Sequence, residues 1–125
     1  MGLLDGFMGN ASQIDRQSAV DEFRPLLAPE EEVQAAYKVV RDAFLFTNRR
    51  LIIVNKQGMR GKKVEYHSLP YKSVTHFSVE TAGTFDLDAE LKIWLSGMDD
   101  PIVQQFGKGA DVYEIQALLA ALVAR

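Results

Sequence analysis

Residues 44–58 read FLFTNRRLIIVNKQG. Two apolar runs, 43–47 and 50–55, flank the polar knot Thr47-Asn48-Arg49-Arg50. β-Branched and aromatic residues in short runs bounded by polar turn residues are the signature of a hairpin. Asn48 suits a turn because asparagine tolerates a positive φ. The same knot sets two guanidinium groups beside a hydroxyl and an amide, so Arg49 and Arg50 are also candidate contacts for an acidic partner.

The pattern continues on both sides. Residues 33–40, VQAAYKVV, place Val33, Ala35, Tyr37 and Val39 on one strand face. Residues 63–69, KVEYHSL, alternate and stop at Pro70. Residues 74–81 set Phe77 and Val79 against His76 and Ser78. In 89–95, AELKIWL, the alternation puts Ala89, Leu91, Ile93 and Leu95 inward and Glu90, Lys92 and Trp94 outward. A last short strand is expected at 102–106, IVQQF.

Helices are expected at the two ends. In the first 27 residues, Ser12 can cap a helix, with Asp15 near its positive end. Ala19, Val20, Phe23 and Leu27 share a helical face, and Pro25 should end it. Asp111 and Glu114 have capping-box spacing ahead of a stripe of Val112, Ile115, Leu118, Leu119 and Leu122. The chain therefore reads as α+β: a helical leader (1–27), then a domain (28–125) of about seven short strands and a C-terminal helix. Tight turns make the sheet antiparallel, and such a sheet tends to curl, with one helix covering an open end.

Composition narrows the function classes. The 125 residues include no cysteine, which removes disulfides, thiol catalysis and thiolate metal sites and fits a cytoplasmic protein. The net charge of −3 and pI of about 5.3 give no global attraction to nucleic acid. No run reaches the roughly 20 apolar residues of a membrane span. The opening MGLLDGFMGN has no basic region, so no signal peptide is expected there. Gly2 is not followed by Ser or Thr at position 6, as myristoylation would require.

No catalytic constellation emerges. The two histidines, His67 and His76, fall on successive strands and read as cross-strand surface residues; there is no G-x-S-x-G elbow. Asp86, Asp88 and Glu90 alternate on one strand face but lack the glycine and distant glutamate of a calcium loop. A solvated strand end answered by lysine is the expected reading, with no metal and no other cofactor. The loop KQGMRGKK (56–63) supplies Lys56, Arg60, Lys62 and Lys63, a basic cluster able to meet an acidic partner or a lipid headgroup. No glycine fingerprint leads from it into a helix, so it is not a nucleotide loop. Leu3, Leu4, Phe7 and Met8 in the leader, and outward Trp94, are surplus apolar groups and hence candidate interface residues.

Three stretches carry a family likeness: RDAFLFTNRRLIIVNKQG (41–58), GKKVEYHSLPYKSVTHFSVETAG (61–83) and FDLDAELKIWLSG (85–97). They resemble the bacterial pleckstrin homology (PH) domain family, short stand-alone proteins of unknown function. The resemblance covers roughly residues 28–125. It implies a PH-like curled antiparallel sheet of about seven strands with a C-terminal capping helix. It also implies a non-catalytic protein that forms ring-like homo-oligomers, in which TNRR is the hairpin turn between the second and third strands. Phosphoinositide-binding PH domains hold their ligand with basic residues between the first two strands. Here that loop is VRDA (40–43), with Arg41 alone beside Asp42. The expectation is therefore a self-assembling interaction module or scaffold with an unidentified protein partner and no nucleic acid. The alternative is a peripheral membrane domain using loop 56–63 and the leader.

Overall fold

A computed structural model describes residues 13–39, 42–57, 63–81, 89–106 and 112–124. They fall into two units, divided between Pro70 and Tyr71.

The first unit, Gln13–Pro70, is a five-stranded antiparallel meander of β1 (Gln13–Ile14), β2 (Val33–Val39), β3 (Asp42–Thr47), β4 (Arg50–Gln57) and β5 (Lys63–Pro70), paired in that order. One short helix, α1 (Arg16–Phe23), lies against β2. The opening stretch folds as expected: Phe46 pairs with Leu51 and Phe44 with Ile53 across a two-residue turn at Asn48-Arg49. Ala43 to Thr47 and Leu51 to Val54 are all buried. That explains the continuous apolar runs, because a strand covered on one face only would alternate. Ala43, Leu45, Ile52 and Val54 join Ala19 and Phe23 of α1, with Val33 and Ala36, in one cluster. The other residues of the two runs face the opposite side, where Phe46 meets Tyr37 edge-to-face with ring centroids 6.0 Å apart.

Three local expectations are corrected. Val33 does not share a face with Ala35 and Tyr37, because β2 carries a bulge between Val33 and Ala35. The extra residue, Gln34, turns Val33 to the side of Ala36 under α1. The N-terminal helix is shorter than its apolar pattern suggests. Gln13–Ile14 pair with Tyr37 and Ala36 as a strand, and Asp15 is itself the cap, its carboxylate accepting the Ser18 N–H at 3.1 Å. Ser12 and Asp111, the other expected caps, lie outside the described residues. Asn48 is not in the turn for a positive φ: among the described non-glycine residues only Glu30 has one, at 66°. Pro25 behaves as expected, converting the chain after Phe23 into the 3-10 turn Arg24–Leu26.

The second unit contains a three-stranded antiparallel meander, β6 (Val74–Thr81), β7 (Ala89–Leu95) and β8 (Ile102–Phe106), and α2 (Val112–Val123). Central strand β7 alternates as read: Ala89, Leu91 and Ile93 are buried, and Glu90, Lys92 and Trp94 are half-buried. Leu95, expected inward, is only half-buried at the strand end. Helix α2 packs against β6 and the 3-10 turn Tyr71–Ser73, and its Ile115 and Leu119 are fully buried. Leu118 and Leu122 are half-buried, and Ala117, Ala120, Ala121 and Ala124 are exposed.

Candidate functional site

The polar knot Thr47–Arg50 meets the segment Leu26–Glu32, and Glu31 is the centre of the contact. Its side chain is fully buried. Its Oε1 accepts the Ala28 N–H at 2.9 Å and an Arg50 terminal N–H at 3.0 Å. Its Oε2 accepts the Thr47 hydroxyl at 2.6 Å and Arg50 Nε at 2.9 Å. The pairing with arginine is thus bidentate, the strongest form of this bond. Arg50 also reaches the Leu26 carbonyl at 2.6 Å and Ser68 Oγ on β5 at 2.8 Å. Asn48 fastens the next residue: its amide oxygen accepts the Glu32 N–H at 2.8 Å, and its own N–H donates to the Glu32 carbonyl at 3.0 Å. Thr47 Oγ1 meanwhile accepts the N–H groups of Arg49 and Arg50, both at 3.0 Å, which closes the turn.

Each side chain of the knot therefore has a structural duty except that of Arg49, which is exposed. A carboxylate offers about four acceptor positions, and Glu31 uses four. Burial pushes its pKa up. The Arg50 hydrogen bonds, the Ala28 N–H, the Thr47 hydroxyl and the Arg50 charge outweigh that and hold it at about 2. In return, hydrogen bonding to Glu31 raises the pKa of Arg50 against the opposing effect of its burial. A carboxylate so saturated has no lone pair left for a substrate or metal. The arrangement is a clasp that ties the chain entering β2 to the β3–β4 turn and to β5.

The clasp has a pH signature. A carboxyl whose folded pKa lies below its ordinary value of 4.5 stabilises the fold above that pH. The contribution fades as pH falls from about 4.5 through 2. At neutral pH it amounts to about 2–3 kcal/mol, discounting the full shift because the Arg50 side chain is 26% exposed. Urea midpoints at pH 7, 4 and 3 should fall steeply in the wild type. In Glu31→Gln the fall between pH 4 and 3 should be shallower; equal slopes would contradict the assignment.

Of the other candidate cations, Lys56 and Lys63 stand at the same end of the β4–β5 hairpin, where Lys56 pairs with Val64 and Gln57 with Lys63. Lys63 is exposed at the start of β5, and Lys56 is half-buried on β4, its N–H donated to Asp42 at 2.8 Å. Arg60 and Lys62 lie outside the described residues, as do Leu3, Leu4, Phe7, Met8, Asp86 and Asp88. Lys92 answers Glu90 at 3.8 Å and Glu80 at 3.9 Å. No group of three potential metal ligands occurs among the described residues. No described helix is long and apolar enough to cross a membrane. Trp94 is covered on one face by His76, the rings stacked 4.3 Å apart. An open groove of ≈ 680 Å³ runs between α1 and residues 27–33, with Arg16, Arg24, Glu30 and Glu32 on its walls.

Consecutive antiparallel strands in two sheets, a C-terminal helix and a polar cluster spent on architecture define a small β-rich domain of the PH class. Residues 2–123 match the family described as Bacterial PH domain, and the chain belongs to that family. The match takes in nearly all of the N-terminal segment. Among curated proteins, the chain is 53% identical to the uncharacterized protein YjqA of Bacillus subtilis (strain 168), over 98% of both chains. Two solved structures resemble it with a TM-score of 0.81. One is a DUF1696 family protein with a pleckstrin-homology domain from Shewanella loihica PV-4, 51% identical over 90% of this chain and 96% of that one. The other is a pleckstrin homology domain from Shewanella amazonensis SB2B, 54% identical over 98% of each.

Proposed function

We propose that this PH-domain protein is a non-catalytic, cytoplasmic module that assembles with copies of itself and serves as a scaffold for another protein. The observation that carries the reading is that exposed large apolar side chains stand on two outer strands: of the four among the described residues, Tyr66, 49% exposed, lies on β5, and Val103, 44% exposed, lies on β8. Each strand is the last in its sheet. Outermost strands carry backbone groups that must be covered, charged or paired. Two such edges on one chain are different patches. A contact joining one to the other is head-to-tail, and a suitable rotation closes a ring of more than two subunits. The saturated clasp supports the non-catalytic part, since it holds the most strongly perturbed carboxyl among the described residues yet offers it to no ligand. In this reading Leu3, Leu4, Phe7 and Met8 add contact area between neighbours.

Light scattering after size exclusion, at micromolar protein, should give one discrete mass several times 14.0 kDa. Val103→Lys should lower that mass, and removal of residues 1–10 should weaken the assembly. A monodisperse monomer for the full chain would overturn the proposal.

A further inference from the structure

Ala28-Pro29-Glu30-Glu31 makes a tight turn, closed by the Glu31 N–H on the Ala28 carbonyl at 3.0 Å. Proline in second place and a positive φ in third mark it as type II, a turn whose third place favours glycine or asparagine. Glu30 stands there instead, at φ 66°. A side chain kept where it strains the backbone points to a use for that side chain. Glu30 is exposed on one wall of the groove between α1 and residues 27–33, and Glu32 shares that wall. The facing wall carries Arg16, Val20 and Arg24, each four residues from the next and so on one side of the helix. Val20 and Leu27, both half-buried, give the groove an apolar floor that rests on the core cluster. Arg24 is held by Asp21 at 3.2 Å. Among the described residues, no hydrogen bond or ion pair engages the side chains of Arg16, Glu30 and Glu32. One wall thus offers a cation and the other offers carboxylates, and neither reaches across. The ≈ 680 Å³ between them is of the size of a ligand-binding cleft.

We propose that this groove holds an extended peptide segment of another protein. The segment carries a basic side chain for Glu30 and Glu32, an acidic side chain for Arg16, and an apolar side chain between them for Val20 and Leu27. Charge complementarity selects that occupant. A purely acidic segment would meet the two glutamates, and a purely basic one would meet Arg16 and Arg24. A lipid or nucleic-acid phosphate would face carboxylates on the wall opposite its arginine. The proposal rests on the scaffold reading and deepens it by naming where the second protein is held. It leaves the outer strands β5 and β8 to self-assembly.

Random heptapeptides displayed on phage and panned against the full-length protein should enrich one pattern, a Lys or Arg and an Asp or Glu on either side of an apolar residue. The best of these, made as a labelled synthetic peptide, gives the affinity by fluorescence anisotropy. Arg16→Gln should weaken it about two- to fivefold, the scale of an exposed ion pair. Glu30→Gly should weaken it as much while its urea midpoint holds or rises, because glycine relieves the turn. Lost binding without lost stability separates a ligand contact from a structural residue. Lys63→Gln, outside the groove, should bind like the wild type. No enrichment, enrichment of a single charge sign, or unchanged affinity in Arg16→Gln and Glu30→Gly would overturn the proposal. So would binding seen only after removal of residues 1–10, which would give the groove to the chain's own leader. Light scattering keeps the two readings apart: a monomer that binds the peptide would sink self-assembly and uphold the groove, and an oligomer that ignores it would do the reverse.

Discussion

Arg50→Met is expected to destabilise the protein by about 3–5 kcal/mol, the cost of removing one partner of a buried pair and leaving the other charge uncompensated. Methionine restores much of the volume but none of the donors. Glu31 would lose both guanidinium bonds, Leu26 and Ser68 one bond each. Against a total stability of roughly 5–15 kcal/mol, that is enough to leave a large fraction of molecules unfolded at moderate urea. Arg49→Met provides the contrast. Its side chain is exposed, and such a change should stay within about 0.5 kcal/mol. Urea unfolding of the two variants, with comparable slopes, checks the difference. Two small and equal losses would mean that Arg50 is as dispensable as its neighbour.

Leu119→Ala should cost about 2–5 kcal/mol. Leu119 is 0% exposed on α2, so the deleted methyl groups leave a cavity that the rigid strands beneath can fill only in part. Ala121→Ser, two residues on and exposed, should cost well under 1 kcal/mol. The two thermal midpoints should therefore separate widely. Coincident midpoints would show that α2 does not hold its unit through that face.

Strand boundaries were legible because residue-level alternation, apolar runs and turn residues are local signals. All seven longer strands lie within two residues of the positions their patterns indicate. What was not legible depends on contacts distant in sequence. The β2 bulge is set by pairing with β3, so alternation alone put Val33 on the wrong face. The two residues of β1 carry no periodicity, and only their partner strand makes them a strand. The clasp was half visible. Thr47-Asn48-Arg49-Arg50 stood out as a polar knot, yet nothing marked APEEE (28–32) as its partner. Nothing local says which of three successive glutamates faces inward, or that the partner lies 19 residues away. The clue lay in two arginines at a turn that needed none, in a chain with a run of acids just upstream. The family likeness was legible from the wording of residues 41–97, and the match over residues 2–123 extends it into the N-terminal segment.

Glu31, Thr47, Asn48 and Arg50 form a clasp that ties the chain entering β2 to the β3–β4 turn. A double-mutant cycle on Glu31→Gln and Arg50→Met tests it most directly. If each group exists to satisfy the other, either single change strands its partner, while the double change strands neither charge. The cycle should then give a coupling of at least about 1–3 kcal/mol, with the double variant far less damaged than the two losses added together. Single losses that are small and simply additive would mean instead that the two charges stand independently and are free to meet something else.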